Sequence, residues 1–423
     1  MLDHPNREGR LSGQPFRFDP ATRHASIEAR DPAFYLDPYP VFEAIRSETP
    51  QFYWEEYGLW CFLGAADLQA LFRDKRFGRE ILHVATREEL GIPETPERLK
   101  PFTDIDALSM LDREPPAHTR LRGLVNRAFV SRQVEKLRPR IAALAHDLID
   151  RFAGQGEVEL IEAFATPIPV TVIAELLGVP VERAPDLLDW SHKMVAMYQF
   201  DRTRAVEDAA VAAAEAFVAF LKEIIAERRR APADDLLTTL IAAEEAGERL
   251  TEDELIATCI LLLNAGHEAT VHAIGNGVKS ILESGLGPSA LFASEKTAEA
   301  VAEECLRFDP PLHFFSRYVL EDLDYAGLAL KKGDRVGLLL GAANRDPARF
   351  ADPARFDPFR PPATHFAFGG GIHFCVGAPL ARLELEVALP ILFERLPGLR
   401  IASPPLYRDS YHFHGLAALN VAW

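Results

Sequence analysis

One cysteine set among glycines and aromatic residues is the part of this sequence best suited to metal chemistry. Residues 368–377 read Phe-Gly-Gly-Gly-Ile-His-Phe-Cys-Val-Gly, in which the cysteine is Cys375. Glycine has no Cβ, so a loop rich in it can turn sharply or bring its backbone close to a flat group. A helix is predicted to begin after Gly377, and its free N–H groups would point toward the sulfur. Such donors stabilise a thiolate, so the segment suits a thiolate bound to iron beneath a flat cofactor. The alternative is that the glycine cluster by itself is merely a turn.

The other three cysteines differ from Cys375 in their surroundings. Cys61, Cys259 and Cys305 each have apolar neighbours, and we interpret them as small buried hydrophobic residues. Four cysteines without regular spacing predict neither a disulfide framework nor a zinc site, and they fit a reducing compartment. We therefore expect a cytoplasmic protein.

The spacing Phe-x-x-Gly-x-His-x-Cys-x-Gly resembles the haem-binding loop of the cytochrome P450 family. The resemblance implies haem b as cofactor, with Cys375 as the axial ligand of its iron. It also implies a mainly α fold with small β-sheets, shaped as a triangular prism, in which the haem lies between a long distal helix and a proximal cysteine loop. The residues that the resemblance places against the haem include Phe368, His373, Cys375, Gly377 and, on the distal side, Ala265.

A second candidate set lies in a predicted helix and in the proline-rich stretch after it. Glu304 and Arg307 are three residues apart and so share one helix face. By themselves they would be an ordinary exposed ion pair. Together with Arg360, in the sequence Phe-Asp-Pro-Phe-Arg, they resemble the Glu-x-x-Arg helix and the meander arginine of cytochromes P450. The resemblance implies a buried ion network, for which we predict a structural role in holding the cysteine loop.

A histidine and an arginine one helical turn apart form the third set. His118 and Arg122 could grip a carboxylate from one helix face, or could simply belong to a basic helix surface. The resemblance favours the first interpretation, since family members bind the haem propionates with matching residues on this helix. By the same matching, Arg317 and His373 are predicted to complete the set.

The fourth set interrupts an apolar helix with the sequence Asn-Ala-Gly-His-Glu-Ala-Thr at 264–270. A glycine and a carboxylate cost stability there, and the stretch could be only a local bend packed against other helices. It resembles the family's distal oxygen-activation helix, which implies that Glu268 is the catalytic acid. Where the family pattern continues with an alcohol, this chain has Ala269, and the hydroxyl of Thr270 lies about 100° further round the helix. Proton delivery would then rest on Glu268, with Thr270, water, a backbone carbonyl near Gly266 or a substrate hydroxyl as substitutes.

Helices are predicted to position most of these residues. The helical patterns cover residues 119–129, 134–152, 205–230, 251–282 and 295–308. Thr251 and Glu254 form a capping box that opens the longest helix. Strands are predicted over 57–63 and in a hairpin over 324–340 whose turn is at 331–334.

The ends of the ordered region are also predicted. Residues 1–30 read as a polar, loosely held tail, with ordered structure from about Pro38. The site residues spread from 112 to 377 and serve one haem, so residues 31–423 are predicted to form a single domain.

The composition disfavours several classes of partner. The chain has 46 basic and 63 acidic residues and a net charge of −17, which repels nucleic acids and anionic membrane surfaces. The longest apolar run, 255–265, is too short to span a bilayer, and the first 20 residues lack the apolar core of a signal peptide. We expect no nucleic acid and no membrane as partners.

Residues 113–140 depart from this acidic balance. They hold eight basic and two acidic residues. The sequence shows no Gly-x-Gly-x-x-Gly unit and no four-cysteine cluster, so electrons would come from a separate protein. The basic stretch predicts docking of an acidic ferredoxin, with Arg120, Arg127 and Arg132 among its contacts. The alternative is that these cations serve the haem or the solvent.

The predicted function is that of a haem-thiolate monooxygenase, which uses O2 and ferredoxin electrons to hydroxylate or dealkylate a small to medium hydrophobic substrate. Aromatic residues in the family's pocket segments favour an aromatic or terpenoid compound, although such residues are usually core. The predicted substrate contacts are Ala269, Leu312, Phe314, Phe315 and Phe413. Two alternatives share the haem: a peroxide-driven peroxygenase, which Ala269 allows, and a non-catalytic haem protein that senses a small molecule.

Overall fold

Helices form most of the structure. The computed structural model describes residues 16–127, 129–199, 202–245, 250–409 and 411–423. The α-helices in these ranges are α1 (Pro32–Tyr35), α2 (Tyr39–Arg46), α3 (Ala65–Leu71), α4 (Lys100–Asp106), α5 (Ala117–Asn126), α6 (Ser131–Val134), α7 (Arg138–Phe152), α8 (Pro167–Leu177), α9 (Ala184–Val195), α10 (Arg204–Arg230), α11 (Leu236–Glu245), α12 (Glu252–Ser284), α13 (Pro288–Leu291), α14 (Glu295–Phe308), α15 (Leu340–Ala343) and α16 (Ala378–Arg395).

The strands are short and lie mostly near the two ends of the chain. They are β1 (Phe16–Asp19), β2 (His24–Ile27), β3 (Gln51–Trp54), β4 (Leu59–Phe62), β5 (Phe77–Gly78), β6 (Glu157–Glu159), β7 (Phe314–Val319), β8 (Leu323–Tyr325), β9 (Leu328–Leu330), β10 (Arg335–Leu339), β11 (Arg400–Ile401), β12 (Leu406–Tyr407), β13 (Leu416–Ala418) and β14 (Asn420–Ala422). Seven of them form one sheet in the order β1-β2-β3-β4-β10-β7-β5. In this sheet β10 runs parallel to β4 and antiparallel to β7.

The long helix α12 crosses the helical core. Its predicted capping box is present, since Thr251 Oγ1 accepts from the Glu254 amide and the Glu254 carboxylate accepts from the Thr251 amide. Residues along almost its whole length are buried against α8, α9, α14 and α16. Gly266 is required by this packing, because a Cβ there would lie 2.5 Å from the side chain of Ile173 on α8. The helix thus gains a close contact with α8 at the predicted site.

The cysteine loop precedes α16, whose first turn carries a proline as helix starts often do. Gly369 and Gly371 adopt φ angles of +66° and +68°, which residues with a side chain rarely tolerate. A Cβ on Gly371 would lie 1.8 Å from the carbonyl oxygen of Phe72, just after α3. The glycines therefore let the loop fold tightly against the end of α3.

Two sequence predictions are wrong in their boundaries. The tail predicted over 1–30 is wrong for residues 16–27, which form β1 and β2. Strand β2 in turn pairs with β3. Residues 1–15 lie outside the described residues. The hairpin predicted over 324–340 turns at Ala326 and Gly327 between β8 and β9, while β10 pairs with β4 and β7 instead. Ala326 and Gly327 both have positive φ, which marks the true turn.

Most of the helix predictions are confirmed to within a few residues, and residues 295–308 match α14 at both ends. Of the cysteines, Cys61, Cys259 and Cys305 are buried and none is in a disulfide. Within the described ranges, no helix combines the length and the apolar character needed to cross a membrane.

Candidate functional site

Cys375 lies in the loop before α16 and its side chain is exposed, unlike those of the other cysteines. Its own amide donates to the carbonyl of Phe368 at 3.0 Å, which closes the loop. The protein around the loop partly desolvates the sulfur, and this desolvation raises the pKa of the Cys375 thiol. The backbone amides of Gly377 and Ala378 and the charge of Arg122 oppose that shift. These donors are placed to stabilise a thiolate once a metal takes the proton's place.

The predicted cations gather beside this loop. The rings of His118 and His373 lie 4.4 Å apart, centre to centre. Arg122 donates to the carbonyl of Phe374 at 2.5 Å, so it also holds the loop. Arg317 is buried on β7, where its guanidinium lies 5.1 Å from the ring of Phe72. The structure thus brings all four side chains around the cysteine loop.

The polar atoms of this cluster are only partly satisfied. His118 is 3% exposed, and neither of its ring nitrogens has a hydrogen-bond partner among the described residues. Burial lowers the pKa of His118 to about 4, and the nearby His373 and Arg122 add to the shift. Burial likewise lowers the pKa of Arg317 to about 9. Among the described residues its guanidinium donates only to the Ser316 carbonyl, so an acidic ligand would relieve both groups.

Glu114 is a site residue that the sequence reasoning missed. Its Oε1 lies 3.2 Å from Nε2 of His373 and accepts from the amide of Arg79 at 2.6 Å. Burial alone would raise the pKa of Glu114, but His373 and the Arg79 amide outweigh it and lower that pKa. The residue stands only four positions before His118, inside the motif that pointed to the cluster. Its orientation toward His373 depends on a contact 259 residues away, which no local pattern shows.

Glu304 on α14 forms the centre of a buried ion network. Arg307 donates to both of its carboxylate oxygens at 2.7 Å, and Arg360 donates to Oε2 at 3.0 Å. The remaining N–H groups of Arg307 go to the carbonyls of Asn344, Pro353 and Arg355. The structure therefore brings the three predicted residues together.

This network reaches the cysteine loop through one asparagine. Arg307 binds the backbone carbonyl of Asn344, and the side-chain oxygen of Asn344 accepts from the amide of Phe366 at 2.6 Å. Phe366 in turn accepts from the amide of Gly369, in the first turn of the loop. The connection supports the predicted structural role.

One turn of α12 faces away from the packed core. Ala265 is exposed and Gly266 and Ala269 are half-buried, although the helix is buried on both sides of this turn. Small side chains therefore leave one face of the turn uncovered by protein. Thr270 is buried.

Glu268, on the same turn, lies in a cluster of basic side chains from distant elements. Arg408 donates to its Oε1 at 2.9 Å, and Nε2 of His192 on α9 lies 3.2 Å from its Oε2. His272, one turn along α12, lies 3.6 Å from Oε1. Burial raises the pKa of Glu268, but His192 and His272 outweigh it and hold that pKa well below its usual value. Arg408 and His192 were both missed, since nothing near them in the sequence signals the contact.

The predicted substrate residues do not all lie together. Leu312 and Phe413 are half-buried and form a backbone bridge with each other. Phe315 lies over the cysteine loop, where a Cβ on Gly369 would be 3.0 Å from its ring. Phe314 points to the opposite face of β7 and is buried in the aromatic core around Trp54, so its prediction as a pocket residue is wrong. The alternation of side chains along a strand explains the separation of Phe314 from Phe315.

Comparison with known proteins gives the same family at three levels. The family model described as "Cytochrome P450" matches residues 296–397. Cytochrome P450 107B1 of Saccharopolyspora erythraea is 41% identical over 399 residues, which cover 93% of this chain and 96% of that protein. Vitamin D(3) 25-hydroxylase of Pseudonocardia autotrophica is 37% identical, covering 92% of this chain and 94% of that protein.

A solved structure shares the fold over nearly the whole chain. It is that of P450BioI in complex with an acyl carrier protein ligated to hexadec-9Z-enoic acid. It superposes with a TM-score of 0.86 and 34% identity, and the match covers 92% of this chain and 99% of that one. The mainly α fold with small sheets is thereby confirmed.

Proposed function

The chain belongs to the cytochrome P450 family of monooxygenases, and from that premise we propose that it binds haem b through Cys375 and oxidises a hydrophobic substrate with O2. The observation that carries the proposal is the pairing of an exposed cysteine with an incompletely satisfied basic cluster. The sulfur faces backbone amides, and His118 and Arg317 are buried without a carboxylate partner of their own. A thiolate and buried cations are the groups that an iron porphyrin with two propionates requires.

The residues present fit that cofactor. Cys375 would hold the iron, with Phe368 and Gly377 beside it in the loop. The propionates would lie against His118, Arg122, Arg317 and His373. Ala265, exposed on α12, would cover the opposite face, because its small side chain leaves room there. When bound, haem with a thiolate ligand supplies O2 activation and oxygen transfer to a C–H bond.

Proton delivery is the task proposed for Glu268. His192 is partly exposed and lies 3.2 Å from the Glu268 carboxylate, so the pair connects solvent with the distal turn of α12. Ala269 cannot donate, and Thr270 is buried on a different face. Replacing Glu268 with glutamine should therefore reduce the ratio of product formed to reductant consumed. Thr270→Val, as the matched variant, should lower that ratio less.

We propose that the substrate is small to medium in size and hydrophobic, aromatic or terpenoid in type. Ala265 and Ala269 form a small-residue surface, and Leu312 and Phe413 are half-buried apolar residues from the predicted pocket segments. Phe314 is no longer part of this set. A spectral titration of the ferric protein with terpenes, aromatic acids and steroids would identify the class that displaces iron-bound water.

The proposed electron donor is an acidic ferredoxin bound near residues 113–140. Within the described residues, no carboxylate lies within 4.0 Å of Arg127, Arg132 or Lys136, which are exposed. Arg120, by contrast, forms an ion pair with Glu254 on α12. We therefore take Arg127 and Arg132 as the docking contacts and leave Arg120 out of the set.

Cys375→Ala tests the central proposal, with Cys61→Ala as the matched control. The Cys375 variant should lose the thiolate spectrum of the reduced carbon monoxide complex and all turnover with ferredoxin, reductase and O2. Cys61 lies in the β-sheet core, and its variant should keep both, at reduced stability. If the Cys375 variant retains the thiolate spectrum and its turnover, another residue holds the iron and the proposal fails.

Peroxide-driven oxidation is the second candidate, favoured by the absence of an alcohol at Ala269. Turnover with hydrogen peroxide that far exceeds turnover with ferredoxin would select it. No product with either donor, together with tight binding of a small molecule, would select the sensor alternative.

A further inference from the structure

Two histidines and a glutamate converge where α9 crosses α12. One possible ligand atom from each of His192, His267 and Glu268 lies within 4.8 Å of the other two. The His192 to Glu268 distance is 3.2 Å, and the His267 to Glu268 distance is 3.7 Å. His192 is at the surface, while His267 and Glu268 are buried. The cluster therefore opens to solvent on one side only.

The orientation of His267 is fixed by its other nitrogen. Nδ1 lies 2.7 Å from the carbonyl oxygen of Leu263, one turn back on α12. A carbonyl only accepts, so Nδ1 carries the proton and Nε2 of the neutral ring holds a lone pair. That lone pair faces a carboxylate oxygen, which also only accepts. His267 is 3% exposed, and among the described residues its Nε2 has no hydrogen-bond partner.

Nε2 of His192 can donate to this oxygen of Glu268, but among the described residues Nε2 of His267 has no hydrogen-bond partner and is left facing an acceptor. A cation shared by the three side chains would resolve that contact. The hydrogen bond at Nδ1 leaves Nε2 of His267 free to bind it.

Arg408 does not contact the Glu268 oxygen that the two histidines face. It donates to Oε1 of Glu268, and Oε2 is the oxygen that faces the two histidines. The carboxylate can thus bind the guanidinium on one side and a metal on the other. His272 also lies on the Oε1 side and remains outside the cluster.

We propose that His192, His267 and Glu268 form a binding site for a divalent transition metal, with Zn²⁺ as its best match. Two imidazoles and one carboxylate are a common zinc ligand set, completed by water. Bonds of about 2.0–2.1 Å in a tetrahedron place ligand atoms roughly 3.3 Å apart, close to the 3.2 and 3.7 Å observed. The hydrogen bond from His267 to Leu263 is the kind of outer contact that fixes a metal-binding ring.

The site would couple two parts of the molecule. One ligand comes from α9 and two come from α12, so a bound metal would hold α9 against the distal helix. It would also occupy the Glu268 oxygen that faces His192, the proposed connection to solvent. Metal binding should therefore slow turnover without displacing the haem.

The second buried cluster of the same kind provides a contrast. Asp309 lies 3.3 Å from Nε2 of His414 and accepts from the hydroxyl of Tyr39 at 2.8 Å. A hydroxyl donor and a ring that can donate already satisfy this carboxylate. The third member, His313, lies 3.8 Å from Asp309 through Nε2, but that nitrogen also lies 3.4 Å from the Tyr39 hydroxyl. Unlike Nε2 of His267 it therefore has a hydrogen-bond partner, and we assign no ligand there.

The test is a calorimetric titration of the haem-loaded, chelator-treated protein with Zn²⁺, together with zinc X-ray absorption. Wild type should bind one Zn²⁺ per chain with nitrogen and oxygen ligands. His192→Ala should weaken binding at least about 10-fold, the lower end of what loss of a contact to a ligand costs. His83→Ala, which removes another exposed histidine, should leave the affinity unchanged.

His192 is at the surface, so its replacement should leave the fold intact. The haem absorbance of each variant checks that it is folded. Equal affinity of wild type and His192→Ala would overturn the proposal. So would sulfur in the ligand spectrum, which would place the metal on a cysteine. Binding is measured without turnover, so this result stands apart from the test of the monooxygenase function.

Discussion

Two arginine clusters flank the cysteine loop, and they differ in how completely their charges are satisfied. In the Glu304 network, Arg307 donates five hydrogen bonds, which use every N–H of its guanidinium. In the basic cluster, Arg317 donates only to Ser316 among the described residues, and both nitrogens of His118 lack partners. Both clusters are buried, so solvent does not explain the difference.

The difference separates structure from function. A charge whose partners are all protein atoms stabilises the fold and has nothing left to bind. A buried polar group without partners costs stability, and a fold keeps it when a ligand completes it. The closed network thus supports the loop, whereas the open cluster has donors left for an acidic group from outside the chain.

Opening the closed network should have the largest effect. Glu304→Gln removes the charge that Arg307 and Arg360 share and leaves two buried guanidinium groups uncompensated. We expect the free energy of unfolding to fall by about 3–5 kcal/mol, the usual cost of breaking a buried ion pair. Chemical denaturation of the haem-free chain measures it. Glu303→Gln, at a neighbouring partly exposed carboxylate, should cost less, and an equal loss would show that Glu304 is not special.

Removing a cation from the open cluster should weaken haem binding without destabilising the haem-free chain. Arg317→Met deletes a buried charge that lacks a carboxylate partner, so the haem-free chain should be at least as stable as wild type. Its affinity for haem should fall by about 10- to 100-fold, since a charge-assisted contact contributes about 1.5–3 kcal/mol. Haem transfer to apomyoglobin measures the affinity. A loss of stability in the haem-free variant would mean that Arg317 is part of the fold after all.

Asp106 belongs to neither cluster, and changing it should have an intermediate effect on the free energy of unfolding. Asp106 accepts from Tyr198 at 2.7 Å, and burial, with the nearby Asp112, raises the pKa of Asp106 to about 6. Between about pH 4 and 6 the folded chain keeps a proton that the unfolded chain has released, so stability falls across this window as pH rises. Asp106→Asn should remove that dependence.

Above pH 6 the Asp106→Asn variant should be more stable than wild type by about 1–2 kcal/mol. Thermal unfolding at pH 4.5 and pH 7.5 measures the difference between the two proteins. Parallel curves for wild type and variant at both pH values would count against the raised pKa.

The smallest effect is expected at the surface. Reversing Arg127 and Arg132 to glutamate should slow reduction by an acidic ferredoxin by about 3- to 10-fold at low salt, through weaker electrostatic steering. Arg30→Glu, a reversal in the N-terminal region, should not change the rate. Stopped-flow reduction at two ionic strengths distinguishes them. Rates that are unaffected and independent of salt would exclude this docking surface.

The parts of the site that depend on neighbouring residues could be predicted from the sequence. Glu304 and Arg307 share a helix face, and Cys375 stands in a loop whose glycines have the φ angles that only glycine tolerates well. The contacts that decide the distal site could not be predicted in this way. Arg408 is 140 residues from Glu268 in sequence and meets it only after the last strands fold back on α12.

Strand registers caused the remaining errors. Phe314 and Phe315 are equally aromatic, and only the alternation of β7 sends one into the core and the other over the loop. The stretch from 16 to 27 is rich in polar residues, yet it is ordered by pairing with β3, which sequence composition alone does not reveal.

That N-terminal pairing has a consequence for how the chain can be shortened. β2 covers the edge of β3, and the Ile27 carbonyl accepts from the indole of Trp54. A chain trimmed to start at residue 31 would expose an unpaired strand edge beside an aromatic core, a surface prone to self-association. Cutting before Phe16 instead would keep β2 paired with β3, so this edge would stay covered.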